Sequence, residues 1–102
     1  MTEYKARRSK TRVPTHPGRV LHEVLDASGL TRTETARRLG ISRQHLLDLL
    51  AERKPVSATM AVKLGKLFGQ GGGLWIRMQT AYDLWHAERD VDVSAIKTLE
   101  QA

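Results

Sequence analysis

Apolar side chains recur at helical intervals from residue 20 to residue 85, and the breaks between them carry caps and glycines. Val20, Leu21, Val24 and Leu25 share one face of a helix predicted to open at Pro17, a favoured first-turn residue, and to run to about Ser28 before Gly29. Thr31 and Glu34 have the spacing of a capping box. They predict a second helix that carries Ala36 and Leu39 inward and stops at Gly40. Ile41 reads as a buried hinge, and Ser42 as the cap of a third helix over 43–51. Leu46, Leu47, Leu49 and Leu50 give that helix a wide apolar face, while Arg43, Gln44, His45 and Asp48 occupy the other.

Ser57 caps a predicted fourth helix that ends at Phe68-Gly69, with Ala61, Leu64, Leu67 and Phe68 as core positions. Gln70-Gly71-Gly72-Gly73 reads as a flexible link to a fifth helix over about 74–89. A short sixth helix, capped by Ser94 and carrying Ile96 and Leu99, is a weaker expectation. No alternating run of β-branched residues is long enough for a strand, so the expected class is all-α.

Charge divides the chain. Twelve basic and six acidic side chains fall in residues 1–54, against five of each in 55–102, so the whole net charge of +6 belongs to the first half. A polyanion-binding face with a neutral back produces such a footprint. Lys5, Arg7, Arg8, Lys10 and Arg12 crowd the first 15 residues against Glu3 alone, in a stretch with almost nothing to bury. That segment reads as a flexible basic arm, serving either as a solubilising tail or as a groove and phosphate contact. The expected division is an arm over 1–15, a DNA-binding domain over 16–69, and a dimerising helix and tail over 70–102.

Several chemistries drop out. Without cysteine there is no disulfide, Cys-ligated zinc or thiol catalysis. His22-Glu23-Val24-Leu25-Asp26 falls one residue short of an H-E-x-x-H zinc motif and lacks a third ligand, so an ordinary helix face is expected and no metal or cofactor. The glycine run has no Gly-Lys-Ser/Thr and follows a helix, which is not the context of a phosphate-binding loop. No catalytic set assembles, so a binding protein is expected rather than an enzyme. Neither a signal peptide nor a membrane-length apolar run is visible, and a bacterial cytoplasmic, nucleoid-associated protein is the default expectation.

The constellation that carries function spans residues 31–54. Two helices joined by a short turn containing glycine make a helix-turn-helix unit. Ala36 is small where the helices must approach, Gly40 suits a left-handed turn, and anchored leucines behind the third helix turn Arg43, Gln44 and His45 outward. Arg43 suits bidentate donation to guanine and Gln44 suits adenine, while His45 suits a base or a phosphate. Thr31, Arg32, Thr33 and Ser42 sit at two helix N-termini, and Arg53 and Lys54 at the far end, as expected phosphate contacts. Taken alone, an Arg-Gln-His run is commonly just solvated; the spacing, the two caps and the one-sided charge favour base contact.

Three stretches then point to a family. His16-Pro17-Gly18-Arg19-Val20-Leu21, the Ala36 to Leu50 unit, and Phe68 followed by Trp75, Gln79 and Ala81-Tyr82-Asp83-Leu84 resemble the HigA antitoxins, VapI-like proteins of the Xre-type helix-turn-helix superfamily. The resemblance covers about residues 15–89. It implies a five-helix, lambda-repressor-like fold, a homodimer, binding to operator DNA in its own promoter, and neutralisation of HigB, a ribosome-dependent mRNA interferase. A solitary regulator without a toxin, or an inhibitor working mainly through protein contact, are the alternatives. The chain departs from the family pattern twice. Gly71-Gly72-Gly73 replaces the usual Ser/Thr-Pro-Glu helix start, and Arg19 stands where relatives often carry an acid.

Trp75, Met78, Tyr82 and Trp85 form a stripe at steps of three and four. The first two are expected in the core. Tyr82 and Trp85 lie beyond it and, with Ala81 and Leu84, are expected in a two-fold dimer seam.

Overall fold

The computed structural model describes residues 12–100, which contain five helices and no strand. They are α1 (Pro17–Ser28), α2 (Arg32–Leu39), α3 (Arg43–Leu50), α4 (Ala58–Phe68) and α5 (Gly72–Asp90). Local chemistry sets most of their ends. Thr31, Ser42 and Ser57 each accept a hydrogen bond from the backbone N–H three residues on, at 3.0–3.1 Å. The capping box at α2 is only half formed, because the Glu34 carboxylate turns away to Arg37 and Arg38.

The α2–α3 turn shows why Gly40 is needed. Its φ is 69°, its N–H donates to the Arg37 carbonyl, and the Ile41 N–H donates to the Ala36 carbonyl. This pair of bonds is a Schellman ending, which calls for a left-handed residue at its centre. Ile41 itself is half-buried, less enclosed than its pattern predicts, and packs on the edge of the core.

That core joins all five helices. Leu21 and Leu25 of α1, Leu46 and Leu49 of α3, Leu64 of α4 and Trp75 of α5 are fully enclosed, with Ala36, Leu39, Met60 and Ala61 around them. Met78, Leu67 and Phe68 are half-buried against this cluster. Its formation by hydrophobic burial holds the outer face of α3 in place.

Two expectations fail on packing. The run Gly71 to Gly73 is not a flexible link; Gly72 and Gly73 are the first turn of α5, which therefore starts before residue 74. Gly65 explains the order, since a Cβ there would stand 2.1 Å from the Gly71 carbonyl carbon. The glycines thus permit close passage of α4 and α5, and α5 begins without a side-chain cap. The short sixth helix is absent: residues 91–100 hold only a turn in which the Ser94 N–H donates to Asp92. Ile96 and Leu99 are 73% and 86% exposed, so an apolar helix face would have nothing to pack on.

The residues that distinguish this chain from a bare helix-turn-helix fasten α5 to the rest. His16 caps α1 by accepting from the Gly18 N–H at 2.9 Å, and its ring meets Tyr82 edge-on with centroids 4.8 Å apart. Gly18 lies against the Leu49 carbonyl, where any side chain would collide. Buried Gln79 accepts from the Val56 N–H at 2.7 Å and donates to Asp83 at 2.9 Å. Gln79→Ala leaves the buried Val56 N–H without its acceptor, a cost of about 1–3 kcal/mol. Thermal melting should therefore show a fall of several degrees, and an unchanged midpoint would remove this contact from the account.

Candidate nucleic-acid interface

Leu46 and Leu49 pin α3 to the core, and everything on its opposite side faces outward. Arg43 and Gln44 are exposed, His45 is half-buried, and Ser42 stands exposed at the helix start with no acid in the first turn. A helix N-terminus so bare of negative charge attracts anions through its free N–H groups. Arg43 has no polar partner among the described residues, so its guanidinium is available for bidentate donation.

Gln44 is differently placed. Its amide donates to the Asp48 carboxylate at 3.0 Å, which leaves its oxygen and one N–H facing out. Arg53 donates to the same carboxylate at 2.9 Å and 3.2 Å, and Lys54 stands 3.9 Å from it. These bonds, from Arg53 first and Gln44 second, hold the Asp48 carboxyl below the usual carboxylate range. Glu52, with φ of 61°, reverses the chain after α3 and brings Arg53 back over Asp48. The expected contact residues Gln44, Arg53 and Lys54 therefore meet around an acid that is not itself among the expected contacts.

The expected phosphate contacts of α2 lie at the helix start. Thr31 and Thr33 are exposed there, and Arg32 reaches back to α1, donating to His22 Nε2 at 3.2 Å and lying 3.8 Å from Asp26. His22 Nδ1 is 3.3 Å from Asp26, so the His22-to-Asp26 stretch orients Arg32. Of the arm, only Arg12 falls within the described residues; Lys5, Arg7, Arg8 and Lys10 lie outside them.

Glu34 behind this surface is lowered from its ordinary 4.5 to about 2, first by hydrogen bonds from Arg37 and Arg38 and then by their charge. A folded-state value below the unfolded one adds stability above the unfolded value and loses it as pH falls toward the folded one. The stability difference between the parent chain and Glu34→Gln should therefore shrink as pH drops from about 4.5 to about 2. Acid unfolding followed by circular dichroism checks this, and a constant difference across that range would contradict it.

The expected dimer residues gather on the outer half of α5. Ala81, Leu84 and Trp85 line a shallow cleft with Arg12, Pro14 and Glu88, and Leu84 is 56% exposed. Tyr82 is more committed within its own chain, lying between the rings of His16 and His86. Arg89 stacks over Trp85 at 3.6 Å. Among the described residues no group of three or more His, Cys, Asp or Glu is placed to hold a metal, and no helix is long and apolar enough to cross a membrane.

Comparison with known proteins agrees with this geometry. The helix-turn-helix family model matches residues 21–72, from the core of α1 to the start of α5. Virulence-associated protein I of Dichelobacter nodosus is 37% identical over 76 residues, covering 74% of this chain and 70% of the relative. The HTH-type transcriptional regulator YddM of Escherichia coli is 32% identical over 83 residues, covering 81% and 88%. Among solved structures, the Pseudomonas aeruginosa antitoxin HigA with the higBA promoter superposes with a TM-score of 0.69 at 30% identity, covering 78% of this chain and 96% of that one. With five helices, a Schellman turn before an outward-facing third helix and this family match, the chain belongs to the Xre-type helix-turn-helix family.

Proposed function

We propose that this helix-turn-helix regulator reads an inverted-repeat operator as a two-fold dimer and represses by occupying the promoter. Arg43, Gln44 and His45 face base edges in the major groove. Thr31, Arg32, Thr33, Ser42, Arg53 and Lys54 hold the sugar–phosphate backbone, and the basic arm of Lys5, Arg7, Arg8, Lys10 and Arg12 adds phosphate or minor-groove contacts. The observation that carries this reading is the exposed, serine-capped start of α3 with Arg43 unengaged above an anchored leucine face. The likeness to an antitoxin described with its promoter supports it.

The dimer brings two copies of α3 about 34 Å apart, one turn of duplex. Ala81, Tyr82, Leu84 and Trp85 form the seam in this proposal, supported by the open cleft on α5 and the exposure of Leu84. Sedimentation at micromolar concentration should return a dimer, and footprinting should protect two half-sites in the promoter of the chain's own gene. A monomer, or a promoter left unprotected, would overturn the proposal.

The same likeness supports a toxin partner. The chain acts as the antitoxin of a HigB-like mRNA interferase, at the nucleoid of the bacterial cytoplasm. The Escherichia coli relative, named as a transcriptional regulator alone, favours a second reading as a solitary regulator. Co-purification with the product of the adjoining gene separates them: a stable complex fits the antitoxin, and free regulator the alternative.

A further inference from the structure

We propose that Asp48 is a positioning residue that sets sequence preference, orienting the Gln44 amide toward the duplex and partly neutralising Arg53 and Lys54. The inference rests on the DNA-binding reading above and extends it to a residue outside the expected contact set.

Three observations combine. Asp48 accepts from Gln44 one helical turn before it, fixing the amide so that one oxygen and one N–H face outward. That outward pair is the complement of an adenine edge, whereas a freely rotating amide presents donor and acceptor in either order. Asp48 also binds Arg53 twice and stands 3.9 Å from Lys54, so two cations at the end of α3 are partly spent within the protein. The side chain of Asp48 is only 16% exposed, and Glu52 adopts a left-handed backbone that brings Arg53 back over it. A left-handed non-glycine residue is held only where its surroundings enforce it.

The physical consequence is a penalty on indiscriminate binding. A phosphate that draws Arg53 or Lys54 away leaves a half-buried carboxylate short of partners and beside a second negative charge. Any sequence pays that electrostatic penalty. Only a duplex that engages the oriented Gln44 amide gains contacts to offset it. Asp48→Asn relieves the penalty for every duplex, but an asparagine amide pairs with Gln44 in either sense and no longer fixes its orientation, so non-specific binding should strengthen more than specific binding.

The test uses the full chain and two duplexes. One is enriched by the parent protein from a randomised pool, and the other is a scrambled duplex of the same composition. Asp48→Asn keeps an oxygen for Gln44 and loses the charge; Asp48→Ala loses both. Fluorescence anisotropy over a series of salt concentrations gives affinity and salt slope. Asp48→Asn is expected to tighten binding to the scrambled duplex about fivefold, the scale of one unit charge acting near water. It should also steepen the salt dependence by about one counterion. Asp48→Ala is expected to lose preference in addition at one base pair, the position that Gln44→Ala also relaxes.

An unchanged affinity ratio and salt slope in both variants would overturn the inference. So would a uniform loss of affinity that tracks a lowered melting temperature, since that marks a merely structural acid. If the parent chain enriches no duplex at all, the DNA-binding reading itself falls, a distinct failure.

Discussion

Arg43→Ala and Gln44→Ala are each expected to weaken operator binding by about 1–3 kcal/mol, or roughly fivefold to more than a hundredfold in Kd. The loss should be confined to the matched sequence and accompanied by relaxed preference at one base pair per half-site. The two residues reach this point differently. Arg43 stands free in solvent, so its replacement removes contacts and leaves the protein as it was. Gln44 is tied to Asp48, so its replacement also releases that carboxylate to Arg53 and Lys54 alone. Arg43→Ala should therefore leave the melting temperature untouched. Lys54→Ala supplies the contrast, because a phosphate contact weakens every sequence alike and flattens the salt dependence. Mobility-shift assays with matched and mismatched duplexes check these outcomes, and full affinity with full preference in both α3 variants would remove them from the interface.

Trp75→Ala is expected to cause the largest loss of stability, about 3–5 kcal/mol. Its ring is fully enclosed between α5 and the helix-turn-helix core, with Phe68 6.2 Å away. For a domain of this size each kcal/mol moves the midpoint by about 4–8 °C, so the variant should melt well below the parent or fail to fold. Trp75→Phe should lose much less. The indole N–H has no hydrogen-bond partner among the described residues, and phenylalanine removes that unpaired donor while keeping most of the apolar ring. Equal destabilisation by the two substitutions would show that the ring does not act through packing.

How much of this was written in the sequence depends on the range of the interaction. Helix starts at Thr31, Ser42 and Ser57 were legible because a cap is decided within three residues. The turn at Gly40 and the inward leucines of α3 were legible for the same local reason, and they place the expected contacts Arg43 and Gln44 outward. What was missed involves distance or competition. Gly71 to Gly73 looks like a loose link in one dimension, and becomes a packed helix start only when Gly65 comes alongside. Asp48 looks like one more solvated acid until the left-handed Glu52 returns Arg53 to it. Thr35 carries no apolar signal in the sequence pattern. It is fully buried, and its hydroxyl is satisfied there by donating back to the Thr31 carbonyl at 2.7 Å.

The same distinction explains the motif residues. His16 and Gln79 carried the family resemblance without any role that spacing alone supplies, and Tyr82 carried it beside its expected place in the seam. In the fold, His16 caps α1 and meets Tyr82, while Gln79 bridges the loop at Val56 to α5. They bolt the last helix onto the DNA-reading unit, which ties the proposed dimer seam rigidly to the proposed reading helix. Half-site spacing would then be set by these contacts.

If the start of α3 is the surface that meets DNA, titration with a duplex from the promoter of the chain's own gene should shift its backbone amide NMR signals. The largest changes are expected at Ser42, Arg43, Gln44 and His45, with a second group at Thr31 to Thr33. Changes confined to α5 and the residues after it, with α3 silent, would show that DNA is met elsewhere.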